Sequence, residues 1–202
     1  MNRMTVAYVS DLSDYKFAKN ALNESKEAAF AALKHACGSI KSTLVTVSFN
    51  QLAQSKTEIL DTVYNADVLV VDMSVKEEQA ILLYHLGLRE SLKLSTNVAM
   101  VCTTEKKLIN NLSSLIGQNT TVFPYMVNDD GLAVVVTANN TTGDLENLKS
   151  QLLKLPALSV ELKHFFMEAR KKTRVHMQEK FLLDLRRDRE ELKGNELREV
   201  RR

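Results

Sequence analysis

The side chains best suited to chemistry lie close together in one stretch of the sequence. Asp72 and Ser74 follow an apolar run of strand length, and the helical pattern that comes next carries Tyr84, His85 and Arg89. His85 and Arg89 are four residues apart, so they share one face of a helix. Polar groups gathered over a central strand predict a pocket for a ligand. The alternative is structural: Asp72 caps local backbone, Arg89 pairs with an acid, and His85 is a satisfied, partly buried histidine.

Two further candidates follow other predicted strands. Ser10 comes after the apolar residues 6–9, and Cys102 ends the run that begins at residue 97. Ligands of doubly wound sheets bind outside the carboxyl ends of the strands, so Ser10 joins the predicted pocket. Cys102 is the better candidate for a redox or partner contact, whereas Cys37, in a predicted helix beside the core, is interpreted as an inert small hydrophobe. Buried packing is the default for both thiols.

The isolated glycines exclude several enzyme classes. No two of the six glycines are close enough for a Walker-type loop or a G-x-G-x-x-G turn. The signatures of a protein kinase domain and of a serine nucleophile elbow are also missing from the sequence. Two cysteines without clustered histidines are too few for a disulfide framework or a structural zinc site. The sequence therefore predicts neither a cofactor nor a metal.

Strand and helix patterns alternate along most of the chain. Residues 68–71 are the clearest strand, because a continuous apolar run is typical of a strand covered on both faces. The turn Asp129-Asp130-Gly131 predicts that the last strand is antiparallel. The predicted strands are 4–9, 43–47, 68–71, 97–101, 121–126 and 132–136, and the predicted helices are 24–37, ended by Gly38, then 57–64, 79–92, 105–115 and 142–155. This alternation predicts an α/β fold with a doubly wound, Rossmann-like, mostly parallel sheet.

Charge separates a second part at the C-terminal end. From residue 160 onward there are 13 Lys and Arg against 9 Asp and Glu, and the pattern over 160–193 is helical. We therefore predict an α/β domain at 1–158 and the start of a helical region at 159–202. Its basic groups could contact nucleic acid, but interleaved acids favour a solvated helix face.

Overall composition is that of a globular protein. Of 202 residues, 45% are hydrophobic and 26% are charged, and no run approaches the roughly 18 apolar residues that a membrane span needs. The first residues lack the apolar region and the cleavage site of a secretory signal. We expect a cytoplasmic protein without membrane or nucleic-acid partners.

Several segments together resemble the amino-terminal regulatory region of the apoptosis signal-regulating kinases, which are MAP kinase kinase kinases. The resemblance covers nearly the whole chain. Its most specific segment is Leu83-Tyr84-His85-Leu86-Gly87-Leu88-Arg89-Glu90-Ser91. The supporting segments are Val6-Ala7-Tyr8-Val9, Tyr64-Asn65-Ala66-Asp67, Val70-Val71-Asp72-Met73-Ser74, Phe123-Pro124-Tyr125-Met126 and Leu182-Leu183-Asp184-Leu185-Arg186-Arg187.

The resemblance implies a regulatory module and not a catalytic one. In that family the region binds reduced thioredoxin, works through neighbouring domains of the same kinase, and leads into a helical repeat region that binds TRAF adaptors. The kinase domain lies far downstream. The family's thioredoxin-contacting cysteine lies near the segment corresponding to residues 155–158, where this chain has no cysteine.

A more distant similarity concerns segments 72–74 and 84–87, which look like those of nucleoside deoxyribosyltransferases and TIR-like proteins. There, a catalytic glutamate follows the tyrosine, and its negative charge stabilises the cationic sugar carbon while an N-glycosidic bond breaks. Here that position is His85, and an imidazole does not supply the charge unless Asp72 or Glu90 substitutes. The first hypothesis is therefore a binding domain that controls a stress-activated kinase. The alternatives are a nucleoside or nucleotide N-glycosidic hydrolase or transferase, and a purely structural domain.

Overall fold

The computed structural model describes residues 3–10, 21–94, 96–103, 105–136 and 154–172. Two compact units divide the chain, Met1–Phe166 and Met167–Arg202. The strands are β1 (Thr5–Val9), β2 (Thr43–Val47), β3 (Val68–Asp72), β4 (Asn97–Cys102), β5 (Thr120–Val127) and β6 (Ala133–Val135). The helices are α1 (Ala21–Ser39), α2 (Phe49–Ala53), α3 (Thr57–Asn65), α4 (Gln79–Ser91), α5 (Lys106–Leu115) and α6 (158–172). Of the second unit, only residues 167–172 are described, and they are helical.

The six strands form one sheet in the order β2-β1-β3-β4-β5-β6. Strands β1 to β5 are parallel, and β6 pairs antiparallel with β5. The predicted α/β class and the antiparallel last strand are confirmed. Strand order reverses between β1 and β3, which is where sheets of this kind bind their ligands.

Helices cover both faces of the sheet. Alternate strand residues point to opposite faces, so each strand contributes to two cores. On one face, Val71 belongs to a core with Leu82 and Leu86 of α4 and with residues of α2, α3 and α5. On the other face, the Tyr8 ring stacks on Phe30 of α1 with centroids 5.4 Å apart. All five residues of β3 are buried, as its continuous apolar run predicted.

The end of α1 differs from the sequence prediction. The helix passes through Gly38 to Ser39, and Lys41 takes the left-handed conformation with φ 55°. The Lys41 N–H donates to the Gly38 carbonyl at 3.1 Å, and the Ser42 N–H donates to the Cys37 carbonyl at 3.0 Å. This pair of bonds closes the helix. The prediction that Gly38 ends it is therefore wrong, because the left-handed residue comes three positions later.

Three other helical segments differ from the sequence prediction or are described only in part. The five-residue helix α2 was not predicted, since one turn is too short to show a periodic pattern. Most of the predicted helix 142–155 lies outside the described residues, and residues 154–155 form a turn and a bend. The predicted helix 160–193 begins at 158, and its part beyond 172 lies outside the described residues. No helix in the described ranges is long and apolar enough to cross a membrane.

Candidate functional site

Asp72 is a fully buried carboxylate at the carboxyl end of β3, on the face that α1 covers. The Tyr8 hydroxyl donates to Asp72 Oδ2 at 3.3 Å, and the Ser74 backbone N–H donates to Asp72 Oδ1 at 2.9 Å. Each carboxylate oxygen therefore accepts a hydrogen bond. Such bonds offset much of the cost of burying a carboxylate.

Ser74 extends these contacts to the next two strands. Its Oγ accepts a hydrogen bond from the Cys102 N–H at 2.9 Å and lies 3.4 Å from the Tyr125 hydroxyl. We call the connected side chains of Tyr8, Asp72, Ser74 and Tyr125 the polar belt. The polar belt joins β1, β3, β4 and β5 at their carboxyl ends.

The tyrosines of the polar belt keep their protons. Burial raises the pKa of Tyr8 well above its ordinary value, and the charge of Asp72 raises it further. Burial and then Asp72 likewise raise the pKa of Tyr125. A protonated Tyr8 is what the buried carboxylate needs as a donor.

Ser10 and Cys102 lie at the ends of β1 and β4. Ser10 is buried, and its N–H donates to the Val47 carbonyl at 3.2 Å. Cys102 is half-buried, and burial raises the pKa of its thiol. Because the thiolate is the reactive form, this environment disfavours nucleophilic chemistry. Cys37 is buried, as predicted.

His85 lies on α4, whose core residues pack on the opposite face of the sheet. Only 4% of His85 is exposed, and its Nδ1 is 2.6 Å from the Tyr64 hydroxyl. Burial lowers the pKa of His85 and raises the pKa of Tyr64. Burial therefore favours the neutral forms of both groups, which share one hydrogen bond. The neighbouring Tyr84 meets the His85 ring edge-on, with centroids 5.2 Å apart, and is 65% exposed.

Arg89 joins α4 to the amino end of the sheet. Its Nε donates to Asn97 Oδ1 at 2.8 Å, its Nη1 to the Val63 carbonyl at 2.5 Å and its Nη2 to the Ala66 carbonyl at 3.1 Å. Burial lowers the pKa of Arg89 to about 10, so the guanidinium is charged at neutral pH. Arg89 thus satisfies two carbonyls at the C-terminal end of α3 and connects them to the start of β4. Its hydrogen-bond partners are an amide and two carbonyls, not the acid suggested by the structural alternative.

The predicted pocket residues therefore divide into two groups. Ser10, Asp72 and Ser74 lie at the carboxyl ends of β1 and β3, whereas Tyr84, His85 and Arg89 belong to a helix on the other face of the sheet. Arg89 is also about 13 Å from the carboxyl end, the length of a five-residue strand. The structure does not bring the six side chains into one pocket. Ligand binding by the first group stays a prediction.

Sequence reasoning missed Tyr8 and Tyr125 as members of the site. A signal was available for Tyr8, because it lies two residues before Ser10 and so faces the same side of the sheet. Tyr125 pairs with Cys102 in register, which only the sheet order reveals.

The carboxylate of Glu90 is engaged elsewhere. Its Oε1 accepts a hydrogen bond from the Thr120 hydroxyl at 2.7 Å, at the amino end of β5. Glu90 therefore lies at the amino ends of the strands, whereas Asp72 lies at their carboxyl ends. Among the described residues, no group of three or more His, Cys, Asp or Glu side chains is arranged to hold a metal ion.

Fold and site together define a doubly wound α/β domain with a closed polar network at the point where strand order reverses. Residues 82–201 match the family model of the MAP3K TRAFs-binding domain. The chain belongs to this family of mitogen-activated protein kinase kinase kinases, which confirms the resemblance to the amino-terminal region of the apoptosis signal-regulating kinases.

Three relatives illustrate the match. Mitogen-activated protein kinase kinase kinase 5 of Mus musculus is 30% identical over 96% of this chain and 15% of its own length. The Homo sapiens protein of the same name is 36% identical over 62% of this chain and 9% of its length. Mitogen-activated protein kinase kinase kinase nsy-1 of Caenorhabditis elegans is 27% identical over 91% of this chain and 12% of its length. The chain thus spans less than a sixth of each relative.

Proposed function

We propose that this chain is a non-catalytic regulatory domain of a cytosolic, stress-activated MAP kinase kinase kinase, and that it binds TRAF adaptors through residues 82–201. The location of the exposed apolar side chains carries the proposal. In the described ranges, the large apolar side chains that are exposed all fall inside the matched segment: Tyr84, Leu92, Leu115, Leu132, Val160 and Met167. Exposed aromatic and aliphatic side chains are typical anchors of protein interfaces.

Binding of the 202-residue chain to an immobilised TRAF domain tests this proposal. We expect Tyr84→Ala and Leu115→Ala each to weaken binding at least about 5-fold, the effect of truncating an interface anchor. Glu58→Ala is the matched control, because Glu58 is exposed on α3 and lies outside the matched segment. The proposal fails if the wild-type chain does not bind, or if the control weakens binding as much as the other two substitutions do.

The proposed lack of catalysis rests on the lack of a free negative charge at the position where an oxocarbenium-like state would need one. The position that needs an anion holds His85, which is buried and bonded to Tyr64, while Glu90 is bonded to Thr120. Asp72 is fully buried within the polar belt. An assay for release of free base from nucleosides and nucleotides provides the test. Turnover by the wild-type chain that disappears in Asp72→Ala would reject the non-catalytic proposal in favour of a hydrolase or transferase.

The regulatory part of the proposal concerns a thioredoxin-like redox protein and neighbouring domains of the same kinase. Since burial raises the pKa of Cys102, we expect contact with thioredoxin to be non-covalent. Calorimetry with reduced and with oxidised thioredoxin measures whether binding depends on redox state. Cys102→Ser should retain the wild-type affinity. Equal affinity for the two forms, or no binding, counts against a redox switch.

A second candidate function is binding of a small polar ligand without turnover. It is favoured by the position of Ser10 and Asp72 beside the reversal of strand order. Nucleoside monophosphates and ribose 5-phosphate are suitable probes in a thermal-shift assay. A ligand-induced rise in Tm that Asp72→Asn removes would support the site. No rise at millimolar concentrations would argue against it.

A further inference from the structure

The two edge strands of the sheet, β6 and β2, differ in their backbone pairing. At one edge, β6 forms a bridge from Val134 to Ala157, and the Val135 N–H donates to the Pro156 carbonyl at 2.9 Å. At the other edge, β2 pairs with β1 and has no second partner strand within the described residues. The side chains of Thr43 and Thr46 are exposed on this strand.

The sequence of β2 lacks the charged residues and prolines that protect many edge strands. Lysines and prolines on an edge strand discourage pairing with another chain. Residues 43–47 read Thr-Leu-Val-Thr-Val, with no charge and no proline. They are mostly β-branched, which favours strand pairing.

The backbone groups of β2 alternate between its partner and its open side. The Thr43 N–H donates to the Met4 carbonyl at 2.8 Å, and the Val47 carbonyl accepts from the Ser10 N–H at 3.2 Å. Both residues therefore point their N–H and C=O groups towards β1. Since this direction alternates along a strand, the N–H and C=O groups of Leu44 and Thr46 point outward.

We propose that β2 pairs antiparallel with β2 of a second copy of this chain, on a twofold axis that passes through Val45. In this register Leu44 lies opposite Thr46 of the second copy, and the reverse pair forms on the other side of the axis. The outward groups then make four hydrogen bonds between the copies. The two Val45 residues face each other as a pair without hydrogen bonds, and the two sheets become one.

Self-complementarity favours a second copy over an unrelated partner segment. With the axis at Val45, every outward N–H meets an outward C=O. Thr43 lies opposite Val47, and Ser42 lies opposite Ser48, so no like charges meet. Twofold pairing is also the commonest form of homo-oligomer. One strand from each copy buries little surface, so we expect a weak dimer.

Disulfide trapping tests the register directly. Two cysteines at position 45 would have Cα atoms about 4.5 Å apart, which a disulfide can bridge. We therefore expect Val45→Cys to form a covalent dimer under mild oxidation. Thr43→Cys is the matched control: it is more exposed, but the two copies of residue 43 lie about 13 Å apart along the strand. The wild-type chain reports any background from its own two cysteines.

Sedimentation of the 202-residue chain measures the non-covalent dimer. The average mass of the wild-type chain should rise above 22.8 kDa with concentration. Thr46→Pro removes an outward N–H from each copy, hence two of the four hydrogen bonds, and should weaken dimerisation at least about 30-fold. Thr46→Val keeps the N–H and should dimerise as the wild type does.

Several results overturn the proposal. They are a wild-type chain that stays monomeric at millimolar concentration, a Thr46→Pro chain that dimerises normally, and cross-linking that is absent from Val45→Cys or equal in Thr43→Cys. If Thr46→Pro does not fold, as judged by circular dichroism, the two cysteine variants decide the outcome.

Discussion

Replacing Arg89 with methionine tests whether this residue is structural or belongs to a ligand site. Its guanidinium makes three hydrogen bonds, to Asn97 and to the carbonyls of Val63 and Ala66. At about 1.5 kcal/mol for each bond from a charged donor, their loss costs about 4.5 kcal/mol. Removing the buried charge also removes its desolvation penalty, which offsets part of this loss. We expect the free energy of unfolding to fall by about 3 kcal/mol, and the Tm by about 6–12 °C.

Urea denaturation followed by circular dichroism measures the effect. Arg89→Lys keeps the charge but loses the planar fork, so its free energy of unfolding should lie between those of the wild type and Arg89→Met. Arg3→Met is the control, because Arg3 is exposed and its replacement should change stability by no more than about 0.5 kcal/mol. An Arg89→Met chain as stable as the wild type, or more stable, would refute the reasoning. It would point instead to an arginine whose positive charge is held in place for a ligand.

Three further predictions concern a helix end, a titrating group and a close contact. Lys41→Gly should raise the free energy of unfolding by about 1 kcal/mol, because Lys41 has φ 55°, and a lower urea midpoint would contradict this. Burial lowers the folded-state pKa of His85, so the unfolded chain binds more protons; stability should therefore fall as pH drops below about 6.5. His85→Gln should flatten this part of the pH profile of the urea midpoint, and an unchanged slope would assign it to other groups. In Gly117→Ala the new Cβ would lie 1.7 Å from Glu90 Oε2, which forces that side chain away from Thr120 at a cost of about 1 kcal/mol. The cost should vanish in a Glu90→Ala background, and an equal cost there would show that the contact is not its cause.

The fold could be predicted because its strands have simple signatures. The continuous apolar run before Asp72 identified a central strand, and Asp129-Asp130-Gly131 identified the reversal before the last strand. The end of α1 was missed because helix closure depends on the connection to β2. There Lys41 takes the left-handed position although Gly38 is available nearby.

The site could be predicted only in part. Strand ends follow from the sequence, so Asp72 and Ser74 were placed correctly at the carboxyl end of β3. Helical spacing showed that His85 and Arg89 share a face. It does not tell which side of the sheet a helix covers, and α4 packs on the side opposite to the Asp72 carboxylate. Which helix covers which face is a property of the whole topology, and local spacing does not contain it.

The polar belt also constrains how this sequence can change over generations. Substituting Asp72 alone would remove the carboxylate that accepts from the Tyr8 hydroxyl, and losing the Ser74 hydroxyl would remove the acceptor of the Cys102 N–H. Neutral drift at one of these positions is therefore blocked until a neighbour compensates. In an alignment of descendants, residues 8, 72, 74 and 125 should be inherited or replaced as a set.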